Sequence, residues 1–490
     1  VTQTLKIYGP PGTGKTTELL RVLQKELQTT SARRVAFLTF TRAARQEVLA
    51  RTQKADEDLP FCRTIHAICY RLLHVHRDQM VTPRLLKAWG KEIGMELSGR
   101  APDPLAEDAY GEGVQATIGD RMLAINHLGR HRRVGLRAML DTSDDPEITL
   151  DLAKWFTESY RHWKEQENLL DYTDLLVQYL HRGATLDVDT LFVDEAQDLS
   201  KLQWLVVDKL GSACQRVYLA GDDDQAIFTW AGASAHEFNG RHADEVRVLD
   251  RSYRCPRAVM ALADTITQQI ETRLDKKIQP RDAEGEVTDA ATITDDLLED
   301  ARTFVLYRHH HRGRALAQAM DQLAIPWLGA GSPLAEPRVT LALQAWNRWD
   351  RGERASLPET KAAMDLAAPE CLRVRETEGG LTGPEAVAGF RPGQDPFQVL
   401  RAPRREYLRR CLELRGWNDL LKPRVTLQSI HMAKGQEADT VILDLELTRK
   451  AWESLLREPD DELRVWYVAV TRARNRLIRL LPSGPLSMRI

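Results

Sequence analysis

The chain of 490 residues carries 68 Lys and Arg against 71 Asp and Glu, with 43% hydrophobic and 28% charged residues. That length suits roughly three or four domains, and the balance is that of an ordinary globular protein rather than a disordered tail or a basic arm. No apolar run approaches the ~20 residues that cross a bilayer, and a net charge of −3 neither favours nor excludes nucleic acid, because binding depends on where the basic residues lie.

The six cysteines, at 62, 69, 214, 255, 371 and 411, form no C-x-x-C pair. Neither a zinc site nor a disulfide framework is expected, which suits a reducing cytoplasm. A core strand begins almost at once, leaving no room for a signal or transit peptide. That strand, Thr4–Tyr8, runs into Gly9-Pro-Pro-Gly-Thr-Gly-Lys15-Thr16, and a helix is expected from Thr16 to Gln28. Strand, Gly-x-x-x-x-Gly-Lys-Thr and helix together make a phosphate loop. Its glycines let backbone N–H groups curl around phosphate oxygens at a helix N-terminus, Lys15 reaches the outer phosphates, and Thr16 holds Mg²⁺. A plain Gly/Pro turn is the alternative, but such a turn has no use for Lys-Thr at that offset.

Val35–Phe40 reads as a buried strand and Arg42–Arg51 as an amphipathic helix. From about 69 to 185 the pattern is helical and more polar, broken by a loop at Ser98–Gly119. A long helix, roughly Pro146 to Gln166, carries an aromatic stripe that suits a core or a base-contacting surface. Strands return at Thr190–Asp194 and Arg216–Gly221, each ending in acidic residues at the edge where open α/β sheets place ligands. Further strands are expected at Glu245–Leu249, Thr303–Tyr307, Val425–Ser429 and Thr440–Leu445, with helical, Gly/Pro-rich and Arg-rich stretches between 335 and 421. The alternation predicts an α/β fold of two parallel-sheet cores, each with a mainly helical insertion.

The chain resembles the UvrD/Rep-type superfamily 1 DNA helicases. The resemblance rests on blocks that follow the family's order: the phosphate loop, Thr39-Phe-Thr-Arg-Ala-Ala-Arg45, Thr64-Ile-His-Ala67, Asp171-Tyr-Thr-Asp-Leu-Leu176 and Val193-Asp-Glu-Ala-Gln-Asp198. They continue with Gly221-Asp-Asp-Asp-Gln-Ala-Ile-Phe-Thr-Trp-Ala-Gly-Ala233, Ser252-Tyr-Arg254, Val305-Leu-Tyr-Arg308, Ser429-Ile-His-Met-Ala-Lys-Gly-Gln-Glu437 and Trp466-Tyr-Val-Ala-Val-Thr-Arg472. It implies two RecA-like P-loop cores, one over 1–68 and 186–250 and one over 251–334 and 422–490. The insertions then fall at 69–185 and, in reduced form, at 335–421. It also implies ATP and Mg²⁺ as cofactors, 3′→5′ movement on single-stranded DNA, action at single-strand/duplex junctions, and a soluble monomer with no membrane partner. A translocase without strong unwinding, or a nucleotide-gated loading factor, is the alternative.

Site roles follow the matching positions. Gly9, Pro10, Pro11, Gly12, Thr13, Gly14, Lys15, Thr16 and Thr17 would cradle the nucleotide. Asp194 would bind Mg²⁺ with Thr16, through water, and Glu195 would deprotonate the attacking water; an acidic strand end capping a helix is the alternative reading. Gln225 resembles the γ-phosphate sensor, and Arg254 and Arg472 the two arginines that reach the γ-phosphate from the second core. Tyr253 resembles the base-stacking aromatic and Glu437 the ribose-hydroxyl acceptor. On the DNA side, Phe40, Phe228 and Trp230 resemble aromatics that stack successive bases, while Thr64, His66 and His431 resemble backbone contacts. Buried core positions are the competing reading for the aromatics and for His66. Arg130–Arg133 and Arg401–Arg410 suit duplex phosphates or a solvated face equally, and His309–His311 reads as a polar loop.

The chain departs from the family pattern in several places. Only eight residues precede Gly9, too few for the usual upstream glutamine motif, and Gln3 is no substitute by spacing. Thr17 stands where Arg is common after Lys-Thr, and Ala231 where Arg usually follows the stacking Trp. Relaxed nucleotide selectivity is therefore expected. The insertion between Pro333 and Lys422 is reduced, and no nuclease domain is expected after Arg472.

Overall fold

The computed structural model describes residues 2–99, 117–143, 145–298, 302–374, 376–482 and 484–490. Most of the loop expected at Ser98–Gly119 lies outside the described residues. Packing divides the chain into two units. The first runs to Glu284 and takes in Lys450–Thr471; the second holds Gly285–Arg449 and Arg472–Arg489.

In the first unit six strands form one sheet: β1 (Gln3–Tyr8), β2 (Val35–Thr39), β3 (Cys62–Thr64), β4 (Thr190–Val193), β5 (Arg216–Gly221) and β6 (Glu245–Val248). Their order is β3-β2-β4-β5-β1-β6, and every pairing is parallel. β2 and β4 are buried along their whole length, as expected of strands covered on both faces. The helix Lys15–Thr29 lays Leu19, Leu20 and Leu23 against Ile7, Val35, Phe37 and Phe192. Burying each such side chain stabilises the unit by about 1.5–3 kcal/mol. Because β4, β5 and β1 are neighbours, the loops after Val193, Gly221 and Tyr8 emerge side by side. That adjacency builds the site.

Where described, residues 69–185 are mainly helical. The aromatic stripe packs inward: Phe156 and Tyr160 are buried with Trp89, whose ring stacks on Trp163 at 5.2 Å. Only Trp155 on that helix is an exposed large hydrophobic residue. The helix itself is Leu150–Gln166, beginning at the Thr149 cap rather than at Pro146, because the Thr149 hydroxyl accepts from the Leu152 N–H. Beneath it lies a buried ionic cluster. Lys164 contacts both Asp171, at 2.5 Å, and Asp174, and Arg130 reaches the same two carboxylates.

The second unit holds a second parallel sheet, β7-β12-β11-β8-β10-β9, made of β7 (Glu286–Ala290), β8 (Thr303–Tyr307), β9 (Trp327–Leu328), β10 (Val425–Ser429), β11 (Ala438–Asp444) and β12 (Ala473–Leu480). Its core continues into a helical layer through Trp327, Trp346, Trp349 and Phe397. Two parallel α/β sheets with helical additions match the expected fold class. The short strands β3, β7 and β9 were not expected. β9 has two residues, and β7 lies at a sheet edge without a buried face, so neither offers a hydrophobic run. His309–His311 is not a loop: His309 caps the helix His310–Gln322, with its ring 6.1 Å from that of His311. Among the described residues, no helix is long and apolar enough to cross a membrane.

Candidate functional site

The loop after β1 turns through two left-handed glycines, Gly12 at φ 73° and Gly14 at φ 80°. No side chain caps the helix that follows, so its leading N–H groups face the loop's hollow. Thr13 closes the turn through its hydroxyl, which donates to the Pro10 carbonyl at 2.8 Å. Gly9 leaves room for the Lys15 stem, since a side chain there would meet Lys15 Cβ at 2.6 Å.

Lys15 is buried, and its Nζ lies 3.1 Å from Glu195 Oε1. Burial disfavours the ammonium, but the carboxylates of Glu195, Asp194 and Asp222 outweigh it and hold Lys15 above its ordinary pKa. Thr16 Oγ1 donates to Asp194 Oδ2 at 3.0 Å. Burial, reinforced by Glu195, pushes Asp194 up to about 6, against the pull of Lys15 and Thr16. Thr16 and Asp194 therefore present hard oxygen donors side by side, the donor type that Mg²⁺ takes.

Glu195 has φ 53°, a left-handed backbone at a residue that is not glycine. Such strain costs of order 1–3 kcal/mol and gathers at functional sites. The turn Ala196–Asp198 holds it there, and Gln197 Nε2 donates to Glu195 Oε2 at 2.5 Å. Gln197 Oε1 in turn accepts from the Asp222 N–H at 3.0 Å, and Gln225 Nε2 donates to Asp222 Oδ2 at 2.6 Å. Lys15, Glu195, Gln197, Asp222 and Gln225 thus form one connected chain across the ends of β1, β4 and β5.

Ser252–Arg254 belongs to the first unit and is fastened to the phosphate loop. Ser252 Oγ donates to the Pro11 carbonyl at 2.8 Å, and the Tyr253 N–H to the Gly12 carbonyl at 2.8 Å. A side chain on Gly12 would run into Arg254. Tyr253 stays 64% exposed beside the loop, with Arg251 over its ring. Thr17 is exposed and accepts from Arg51 Nη1 at 3.1 Å.

Phe40, Phe228 and Trp230 cluster. The ring centroids of Phe40 and Phe228 are 5.1 Å apart, and those of Phe228 and Trp230 are 6.0 Å apart at 71°. Phe40 and Phe228 are buried, whereas Trp230 is half-buried. Arg132 supports the Trp230 turn by donating to the Thr229 carbonyl at 2.9 Å. Thr64 caps the helix Ile65–Leu72, its hydroxyl accepting from the Ala67 N–H at 3.4 Å, and His66 meets the exposed Tyr172 edge-on.

Three sequence-derived candidates belong to the second unit. Arg472 is buried and donates to the Gln436 carbonyl at 3.2 Å; Glu437 pairs with Arg474 at 2.5 Å; His431 is buried. In the Arg401–Arg410 stretch, Arg401 pairs with Glu370, Arg404 with Asp321 and Arg409 with Asp395.

Gln197 and Ser252 carry no role in the sequence pattern, and Arg132 stands there only within Arg130–Arg133, suited to duplex phosphates or a solvated face. Gln197 and Ser252 sit inside the blocks Val193–Asp198 and Ser252–Arg254, and that membership is the signal the sequence offers. Arg132 needed the fold.

Two family models match: the UvrD/REP helicase N-terminal domain over residues 1–244 and the UvrD-like helicase C-terminal domain over 412–481. DNA helicase II of Escherichia coli is 23% identical over 361 residues, covering 66% of this chain and 49% of its own. ATP-dependent DNA helicase UvrD2 of Mycobacterium tuberculosis is 27% identical over 361 residues, covering 63% and 51%. ATP-dependent DNA helicase PcrA of Staphylococcus epidermidis is 22% identical over 378 residues, covering 67% and 49%. The chain spans about half the length of these relatives.

Proposed function

Because the chain belongs to the UvrD/Rep-type superfamily 1 helicases, we propose that it is an ATP-dependent DNA helicase that moves 3′→5′ on single-stranded DNA and unwinds duplex. The observation that carries this reading is the connected chain from Lys15 through Glu195 and Gln197 to Asp222 and Gln225, with Trp230 five residues further on. One loop thus joins a hydrolytic constellation to an aromatic surface.

In this reading ATP sits on the loop Gly9–Thr17, and Thr16 and Asp194 would hold its Mg²⁺. Held there, the ion would supply positive charge to the phosphates. Lys15 neutralises the outer phosphates. Glu195, on its strained backbone, accepts the proton of the attacking water, and Gln197 fixes the direction of its carboxylate. Gln225 reads the outer phosphate, and Arg254 adds positive charge beside the loop. Tyr253 offers its exposed ring to the base. Phe40, Phe228 and Trp230 form the stacking surface for single-stranded DNA, with Thr64 and His66 on its backbone. Roles for Glu437, His431 and Arg472 rest on their motifs alone. The division into cores at 1–68 with 186–250 and at 251–334 with 422–490, and insertions at 69–185 and 335–421, rests on the motifs too, whereas packing groups 251–284 and 450–471 with the first unit. A single copy of the chain carries all of these parts.

Unwinding of 3′-tailed against 5′-tailed duplexes with ATP and Mg²⁺ tests the proposal. Opening of the 3′-tailed substrate alone is expected. DNA-stimulated hydrolysis without opening of either would make the chain a translocase or loading factor. Absence of hydrolysis would overturn the reading.

A further inference from the structure

Asp222, Asp223 and Asp224 follow β5 in direct succession, and all three side chains are fully buried. Among the described residues they form the one acidic group close-set enough to hold a metal ion. That position is already filled. Lys276 Nζ lies 2.7 Å from Asp222 Oδ1 and 2.9 Å from Asp224 Oδ2, and it also contacts Asp223. Lys276 comes from the segment after the helix Arg257–Thr267, and its own side chain is fully buried.

The same segment supplies Arg273, which grips Asp224 with two bonds, Nε to Oδ1 at 2.9 Å and Nη2 to Oδ2 at 2.8 Å. It is held in turn by Arg464, which donates to the carbonyls of Asp223 at 3.0 Å and Thr272 at 2.6 Å. Asp223 has neutral partners besides, the Leu274 N–H at 2.6 Å and Asn239 Nδ2 at 2.9 Å. Asp224 has its own arginine. For Asp222 the ammonium of Lys276 is the cation in direct contact, while Lys15 acts on it through space.

Asp222 is also the member of the trio tied to the hydrolytic residues. Its carboxylate accepts from Gln225 and its N–H donates to Gln197, which holds Glu195. We propose that Lys276 is a positioning residue for nucleotide hydrolysis: by fixing the Asp222 carboxylate it sets the Gln225 amide and, through the Asp222 N–H and Gln197, the direction of Glu195. The inference rests on the ATPase reading above. A displacement of about 1 Å at such groups can cost roughly a hundredfold in rate. Apart from Gln225, the proposed nucleotide contacts at Gly9–Thr17 lie outside this network, so binding should change little.

The competing role for Lys276 is plain neutralisation of buried charge, which removal of one carboxylate would satisfy equally well. Three proteins separate the two: wild type, Lys276→Met, and Lys276→Met with Asp224→Asn, which loses one charge of each sign. Each is measured for ATP hydrolysis with single-stranded DNA, for binding of a fluorescent ATP analogue, and for thermal unfolding. In both variants we expect kcat to fall roughly tenfold to a hundredfold with KM and analogue affinity nearly unchanged. Lys276→Arg should restore part of the rate. Recovery of wild-type kcat in the double variant would overturn the positioning role, as would a fall in unfolding temperature with unchanged kcat in the variants. If Lys276→Met does not fold, the double variant carries the test alone. A wild-type protein without hydrolysis refutes the ATPase reading instead.

Discussion

His127 and His131 are buried to 3% and 1% exposure inside the helical insertion. His127 Nδ1 pairs with Thr173 Oγ1 at 2.7 Å and His131 Nδ1 with Ser200 Oγ at 2.8 Å. Burial, with His66, His127 and Arg130 adding repulsion and Asp171 opposing it, drives His131 down to about 3. Burial also takes His127 down to about 4, with Arg130 and Lys164 assisting and Asp171 opposing. Unfolded, each ring takes a proton near its ordinary value of about 6.5. Both folded values are depressed, so the stabilisation is complete above about 6.5 and is lost as pH falls toward 4 and 3. At pH 5.0 the unfolded chain holds nearly two more protons than the folded one. At about 1.36 kcal/mol per pH unit each histidine costs about 2 kcal/mol there, or about 4 kcal/mol for the pair. That is a large share of the ~5–15 kcal/mol typical of a domain. Denaturant unfolding at pH 7.5 and 5.0, for wild type and for His127→Gln/His131→Gln, isolates the pair's share. The wild type should lose about 4 kcal/mol more than the variant over that interval. Equal losses would refute the assignment of these rings as the neutral, proton-refusing groups.

Glu195→Gln should lower ATP hydrolysis by about 10²–10⁴ while analogue binding persists, as expected for loss of a general base; turnover near wild type would remove Glu195 from that role. Trp230→Ala should weaken single-stranded DNA binding by about 1–3 kcal/mol and lower unwinding per ATP consumed. Unchanged unwinding would refute the stacking surface. With Thr17 exposed after Lys-Thr, GTP should be used appreciably alongside ATP. A kcat/KM preference for ATP above roughly a hundredfold would show a base-reading contact that this reading lacks.

Much of the site was legible because its chemistry is local. A phosphate loop needs glycines at left-handed positions and Lys-Thr at a helix start, all within one stretch of sequence, and the structure adopts that form. Strand ends also announced themselves, since β4 and β5 are apolar runs that stop at Asp194 and Asp222. Bonds between distant segments were not legible. Nothing in the sequence pairs Lys276 with Asp222 or Arg132 with Thr229, because those contacts depend on the fold. Burial of Phe40 and Phe228 went undecided for the same reason: an aromatic residue in a loop looks alike whether it packs or stacks. The Arg401–Arg410 stretch is a conspicuous charge run, yet Arg401, Arg404 and Arg409 are held by Glu370, Asp321 and Asp395, partners that only the fold brings near.

Packing places Lys450–Thr471 with residues up to Glu284, and the stretch Leu463–Val470 is buried throughout. The first unit is therefore discontinuous in the chain. A ribosome that has finished Glu284 has made the phosphate loop and the three aspartates, but not Arg464, whose guanidinium steadies the segment carrying Arg273 and Lys276. All of Gly285–Arg449 must be translated first, which at about 5–20 residues per second takes on the order of ten seconds or more. Throughout that interval the nascent unit carries uncovered apolar surface and an acidic turn still missing one of its braces. The bracing of the aspartate turn thus arrives late in biosynthesis, and a chain released early would hold the whole phosphate loop within an unfinished unit.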